Sequence, residues 1–328
     1  MADSVASDRA LAQAWPDWPD YALVDDLLPT LQDWVARGRR YALATLIDVQ
    51  GSAPRPVGAE MAVNQDGDVA GYVSGGCVEA AVAAEARAAL IDGQVRMLDY
   101  GAGSPVLDLQ LSCGGRIRIL VRPLVDGSAH VAMLAAARQA RRPLALAIDL
   151  NSGATQAAGT APAGLHARHF VQIYTPPRRL VVVGGDPVAL ALLRHAPGFG
   201  IEVVLLRPHG PESLPASLPA PALYDRRGLE TALADLRLDR YCAVYSVSHD
   251  ADIDHTVLTH ALCSDAYCIG ALGSRTKAEQ KRQRLRDAGF DDAAMTRLHT
   301  PAGLYIGART PNEIALSILG QVVADARH

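Results

Sequence analysis

Arg179-Leu180-Val181-Val182-Val183-Gly184-Gly185-Asp186-Pro187-Val188-Ala189 decides the fold of the C-terminal half. A run of apolar, mostly β-branched residues ends at a glycine pair, and a proline stands where a helix would start. This is the strand–turn–helix step that opens a doubly wound α/β sheet. Further buried strands are predicted over 201–206, 241–247 and 267–272, and helices over 252–262, 274–287 and 310–325. The last helix carries a capping box, Thr310-x-x-Glu313, with Pro311 at its first position. Strands alternating with helices imply a parallel sheet. In the dinucleotide frame G-x-G-x-x-G/A, however, Asp186 replaces the middle glycine. Leu205-Leu206-Arg207-Pro208 stands where a ribose-binding acid belongs. Ordinary NAD binding is not expected at this turn.

Working toward the N-terminus, Thr175-Pro176-Pro177-Arg178 marks a boundary. The chain reads as an arm over 1–20, a mixed α/β domain with its connecting region over 21–174, and a Rossmann-like domain over 175–328. Trp15 and Trp18 are candidate anchors for the arm. A helix is predicted over 25–36, with Pro29 in its first turn, and strands over 41–49, 94–100 and 116–122. A hairpin is predicted around Asp66-Gly67. The signal weakens over 124–174, where a helix over 131–139 and a strand over 143–150 are expected.

Three breaker-rich segments punctuate this domain. Gly51-Ser52-Ala53-Pro54-Arg55-Pro56 holds one Arg between prolines. Ser74-Gly75-Gly76-Cys77-Val78-Glu79 precedes an alanine-rich helix, and Cys113-Gly114-Gly115 precedes a strand. Ser74 is expected to cap that helix and Cys77 to fall in its first turn, where the dipole and unused N–H groups favour a thiolate. Glu79 is either a first-turn acid or a site carboxylate. Glycine-flanked thiols allow close ligand approach, and a thiolate coordinates soft metals or handles sulfur. Gly270-Ala271-Leu272-Gly273-Ser274-Arg275 and Gly307-Ala308-Arg309-Thr310 place glycine, Arg and a hydroxyl at helix N-termini, which suits a phosphate.

Composition bounds the function. The 328 residues carry a net charge of −4, which lacks the basic footprint of a nucleic-acid binder. No apolar run reaches the roughly 18 residues of a membrane span. Five cysteines without a leader pattern point to a reducing, cytoplasmic setting. Cys242 and Cys268 sit in apolar strands and read as core, and Cys263 lacks partners for a zinc set. His249, Asp252, Asp254, His255 and His260 share no ligand spacing, so no structural metal is expected.

The motifs resemble the XdhC/CoxI family of xanthine dehydrogenase accessory proteins. The N-terminal likeness rests on Gly51-Ser52-Ala53-Pro54-Arg55, Gly58-Ala59-x-Met61, Ser74 to Glu79, and Cys113-Gly114-Gly115-Arg116-Ile117. The C-terminal likeness rests on Ile269-Gly270-Ala271-Leu272-Gly273-Ser274-Arg275 and on Gly303-Leu304-x-Ile306-Gly307-Ala308-x-Thr310-Pro311-x-Glu313. It covers about residues 40–123 and 178–325. The chain departs from the family pattern at Asp186, Leu205 and Tyr305.

The resemblance implies a non-catalytic chaperone for the molybdenum cofactor, either molybdopterin or its cytosine dinucleotide form. Such a protein shields the cofactor, supports its sulfuration by a cysteine desulfurase and delivers it to a molybdenum hydroxylase. The client would be of the xanthine dehydrogenase, aldehyde oxidoreductase or CO dehydrogenase kind. A homodimer is the family-level expectation. The implied cofactor-binding residues are Arg55, Ser74, Gly75, Gly76, Cys77, Glu79, Cys113, Gly114, Gly273, Ser274, Arg275 and Arg309, with Cys77 and Cys113 near the molybdenum. The competing readings are an NAD(P)-dependent oxidoreductase and a sulfurtransferase carrying a persulfide on Cys77.

Overall fold

The computed structural model describes residues 15–16, 18–104, 111 and 114–326. The chain divides into two compact units between Pro176 and Pro177. In the first unit, α1 (Leu28–Ala36) is followed by β1 (Tyr41–Gln50), β2 (Glu60–Asn64) and β3 (Val69–Gly71). Then come α2 (Glu79–Asp92), β4 (Arg96–Gly101), β5 (Arg116–Pro123) and α3 (Gly127–Gln139). The five strands form an antiparallel sheet in the order β3-β2-β1-β5-β4.

Side chains alternate across this sheet with period two. Ala42, Ala44 and Leu46 of β1 and Ile117, Ile119 and Val121 of β5 pack with Val82, Ala86 and Ala89 of α2. Tyr41 and Leu43 face the other way, toward Leu31 and Trp34 of α1 and Val131 and Leu134 of α3. The same face meets a second sheet of β6 (Leu144–Asp149), β7 (Thr155–Ala157), β8 (Gly164–Leu165) and β9 (His169–Tyr174), where Ile148 and Phe170 pack on Ile47 and Leu120. Two polar side chains tie the sheets together. Fully buried Arg122 donates to Thr155 Oγ1 at 2.9 Å. Glu60 accepts from the Tyr174 hydroxyl at 3.1 Å and from Thr45 Oγ1 at 3.0 Å.

Antiparallel pairing also positions the breaker-rich segments. The register pairs Thr45 with Glu60, Met61 with Gly71, Gln50 with Arg116, and Gly101 with Arg116. The connections that follow β1, β3 and β4 therefore all leave from one end of the sheet. They are in contact there. A Cβ on Gly115 would stand 2.1 Å from the Ser52 carbonyl oxygen, and one on Gly75 would stand 3.3 Å from Pro54.

The second unit is a parallel six-stranded sheet in the order β12-β11-β10-β13-β14-β15. Its strands are β10 (Arg178–Val183), β11 (Ile201–Leu206), β12 (Leu223–Asp225), β13 (Cys242–Ser246), β14 (Cys268–Ala271) and β15 (Leu298–His299). Its helices are α4 (Pro187–His195), α5 (Leu229–Asp235), α6 (Ala251–Leu262), α7 (Arg275–Asp287) and α8 (Pro311–Asp325). Leu180 and Val182 pack with Leu192 of α4 and Ile318 of α8. Val181 and Val183 pack on the opposite face with Leu233 of α5 and Val257 of α6. The strand order reverses between β10 and β13, the switch point at which open α/β sheets bind ligands. Among the described residues no helix is long and apolar enough to cross a membrane.

Close loop packing at the sheet end has a measurable cost on substitution. Gly115→Ala is expected to destabilise the protein by about 3 kcal/mol, because its Cβ meets backbone that cannot move aside. Gly114→Ala, at φ +73° but with nothing within 4 Å of its Cβ among the described residues, is expected to cost only about 1 to 2 kcal/mol. Urea unfolding of the two variants checks the order.

Candidate functional site

The structural centre of the sheet end is the carboxylate of Glu79, which is fully buried. Its Oε1 accepts from the backbone N–H groups of Val73 (3.2 Å), Ser74 (2.7 Å) and Gly75 (3.1 Å). Its Oε2 accepts from the Ser74 hydroxyl (2.7 Å) and from the N–H groups of Gly76 (2.9 Å) and Val78 (3.2 Å). The loop can curl around the carboxylate because Gly75 and Gly76 both take left-handed backbone, φ +88° and +106°. Burial pushes the acid up. The hydrogen bonds from the Ser74 hydroxyl and from the Ser74 and Val73 amides outweigh it and hold the carboxyl below the ordinary glutamate range. Tyr21, 6% exposed, lies close enough for the Glu79 charge to add to burial in raising its phenol. Trp15 packs edge-on against Tyr21 with ring centroids 5.2 Å apart.

This geometry corrects the expected helix start. α2 begins at Glu79 with Val78 as its N-cap, whose own side chain makes no capping hydrogen bond. Cys77 therefore precedes the helix instead of lying in its first turn. Ser74 Oγ accepts from the N–H groups of Cys77 and Val78, each at 3.2 Å. The N–H groups of Gly75, Gly76 and Val78, which the sequence offers to a thiolate, are donated to Glu79. The Glu79 carboxylate and Ser74 are buried in holding the loop, while Cys77 is half-buried and, like Ala53, packs at the edge of the α2 core. Cys113, the other thiol expected in the site, lies outside the described residues. Leu111 is buried in the same cluster that Cys77 packs against, and Gly114 donates to the Leu111 carbonyl at 2.9 Å.

Arg55 lies beside this loop. Its guanidinium sits 4.3 Å from the centroid of the Tyr72 ring, and Nη1 donates to the Tyr72 hydroxyl at 3.4 Å and to Asp25 at 3.3 Å. Its Nε is buried with no hydrogen-bond partner among the described residues. Arg55, Gly75, Gly76, Cys77 and Gly114 thus gather at one end of one sheet. Among the described residues, nothing stands within 4 Å of where a Cβ would be on Gly76 or Gly114. Tyr21 and Tyr72 went unnoticed in the sequence. Their only signal is that aromatics flank otherwise breaker-rich stretches.

In the second unit the N-termini of α4, α6, α7 and α8 are occupied by the chain's own groups. At the glycine turn, Asp186 caps α4 by accepting from Ala189 N at 3.0 Å, and Arg207 lies against Gly185, where a Cβ would stand 2.2 Å from its Nε. At α8, Glu313 accepts from the N–H groups of Arg309 (2.7 Å) and Thr310 (2.9 Å), and those bonds hold its carboxyl low. The N–H groups expected to receive a phosphate beside Arg309 are therefore already used. Ser274 caps α7 by accepting from Lys277 N at 3.3 Å, and Arg275 is exposed. Gly273, Ser274 and Arg275 belong to the second unit, and the loops around Glu79 belong to the first. Cys268, expected as core, is fully buried, and its thiol meets the Tyr245 hydroxyl at 3.1 Å. It also lies near His299 and Asp325, which pair with each other.

Comparison with known proteins places these loops in a family context. The model of the XdhC and CoxI family matches residues 34–101, and that of the XdhC Rossmann domain matches residues 180–322. The chain is 32% identical over 294 residues to the molybdenum cofactor insertion chaperone PaoD of Escherichia coli (strain K12), spanning 89% of this chain and 85% of that one. It is 24% identical over 318 residues to a probable xanthine dehydrogenase subunit of Bacillus subtilis (strain 168), spanning 86% of this chain and 92% of that one. A crystal structure of a xanthine dehydrogenase from Bacillus halodurans matches with a TM-score of 0.75 at 22% identity, over 92% of this chain and 95% of that one. At that identity the likeness is one of fold.

Replacing Glu79 tests its place in the loop. Glu79→Gln turns one acceptor into a donor facing other donors and is expected to cost about 2 kcal/mol at pH 7. The folded-state pKa lies below the unfolded value of about 4.3. The carboxylate's contribution is therefore complete above that value and is lost as pH falls through the lower, folded one. The gap between wild type and variant should narrow below about pH 4 in urea unfolding. An unchanged gap would mean that the charge is not what holds the loop.

Proposed function

The chain belongs to the XdhC and CoxI family, and on that footing we propose that it is a molybdenum-cofactor chaperone. It binds molybdopterin or the cytosine dinucleotide form, shields it, presents it for sulfuration by a cysteine desulfurase, and delivers it to a molybdenum hydroxylase. The clients are enzymes of the xanthine dehydrogenase, aldehyde oxidoreductase or CO dehydrogenase type. The protein works in the cytoplasm as a homodimer and turns over no substrate of its own.

The observation that carries this reading is the convergence of the glycine-rich loops around Cys77 and Arg55. The cofactor is cargo, so its site must hold it and also release it. Cys77 offers a soft ligand or a sulfur-handling thiol, the chemistry that the cofactor's metal end would call for. Arg55 Nε, without a hydrogen-bond partner among the described residues, is a buried donor suited to an anionic or carbonyl oxygen of the cofactor. Among the described residues nothing fills the space a Cβ would take at Gly76 and Gly114, so cargo can approach the backbone there. Glu79 and Ser74 act through the loop, fixing its shape without touching the cargo. The relative named as a molybdenum cofactor insertion chaperone is aligned across most of both chains, which supports the same role here.

Purification from a cofactor-producing host, followed by oxidation and pterin fluorescence, tests the proposal. The wild-type chain should carry pterin well above an unrelated control protein. Cys77→Ala and Arg55→Ala should each lower retention roughly tenfold, the loss of about 1.4 kcal/mol, with melting temperature unchanged. A wild-type chain with no more pterin than the control would sink the chaperone reading. Full retention in both variants would sink the site assignment.

A further inference from the structure

The second unit holds a cleft of about 230 Å³ at the carboxyl ends of β13 and β14, between α6 and α7. None of the residues around Glu79 contributes to it. Its wall is apolar, built from Leu258, Leu272 and Leu285, and its lining includes Lys277, Lys281 and Arg284 against the single carboxylate of Asp254. The excess of cationic groups is not fully neutralised from within. Lys281 is bound to Asp254 at 2.9 Å and to the Leu272 carbonyl, and Ser246 Oγ donates to the other oxygen of Asp254 at 2.5 Å. Arg284 is bound to the Ala251 carbonyl (3.0 Å) and to Asp252 (2.8 Å). Lys277 makes no ion pair among the described residues and stands exposed at the mouth. His249, also lining the cleft, reaches toward the switch point, where its Nε2 lies 4.0 Å from Asp186. Gly273 allows this crowding, since a Cβ there would sit 3.0 Å from Lys281 Nζ and 3.3 Å from Lys277 Cβ.

An apolar wall with one uncommitted cation at its mouth fits a flat ring that carries an anionic group. The volume is below the roughly 300–1,000 Å³ of pockets for drug-sized ligands, so the occupant is one small heteroaromatic ring system with its phosphate and not a whole dinucleotide. We propose that this cleft binds a phosphorylated heteroaromatic ring, with Lys277 on the phosphate and the leucines against the ring. Two sources share that chemistry: the phosphate-bearing end of the pterin, and a pyrimidine or purine nucleotide. The assignment of the ring to the cargo rests on the chaperone reading; the phosphate site itself does not. Lys277 is thereby set apart from Arg275 and Arg309, which lie outside the cleft.

The test is calorimetric titration of the full chain with two pairs of probes. One pair is 6-hydroxymethylpterin and its monophosphate; the other is cytidine and 5′-CMP. In at least one pair the phosphorylated member should bind at least about tenfold tighter, and Lys277→Ala should erase that advantage without lowering the melting temperature. The pair that shows the effect identifies the source. Equal binding of both members in both pairs, or an advantage that survives in Lys277→Ala, overturns the proposal. The outcome is separable from the chaperone test. Absence of co-purified pterin with the phosphate advantage intact defeats the chaperone reading alone. Co-purified pterin with no phosphate advantage defeats the cleft alone.

Discussion

The Glu79 carboxylate is surrounded by five backbone N–H groups and one hydroxyl, with no water-facing surface. A buried charge of this kind is tolerated only when its lone pairs are satisfied, because desolvation alone costs several kcal/mol. The satisfaction here comes from a loop that must turn twice through left-handed backbone, hence two consecutive glycines. The acid also opens α2, where its charge suits the positive end of the helix. Pro54 then packs on Gly75, and Gly115 packs on Ser52, so the neighbouring loops inherit their positions from this one.

A related economy runs through the second unit. Asp186, Asp250 and Glu313 each accept N–H groups at the start of their own helix. Helix ends that are natural anion sites are thus satisfied internally, and the dinucleotide turn is further covered by Arg207. What these arrangements leave for a ligand is side-chain chemistry: a thiol and a guanidinium in the first unit, and a lysine above a leucine wall in the second. Such contacts can be made and broken without unravelling a helix end, which suits a carrier.

Much of this architecture was legible in the residues. The apolar run before Gly184, the capping box at Thr310 and the alternation of Arg116 to Arg122 each have one local solution, and each forms as the pattern requires. The elements that went unread are short or mixed in polarity. β9 carries His169 and Gln172 among its apolar residues, β12 and β15 have three and two residues, and α5 has seven. Tertiary pairing, not local propensity, makes these elements. α3 starts four residues earlier than its apolar period, at Gly127, because Asp126 caps it. The site was legible as a set of loops but not as a geometry. Nothing in Ser74-Gly75-Gly76-Cys77-Val78-Glu79 alone says that Glu79 folds back to take the N–H groups that a thiolate would use. The buried Arg55 Nε was equally invisible, since it depends on Tyr72 from a different loop.

The central claim is that the loops organised by Glu79 form the cargo site. Hydrogen–deuterium exchange, compared between cofactor-loaded protein and the same protein stripped of cofactor, tests it most directly. Loading should slow exchange in the segments 51–59 and 72–78. Unchanged exchange in both segments, with protection appearing only elsewhere, would contradict the account.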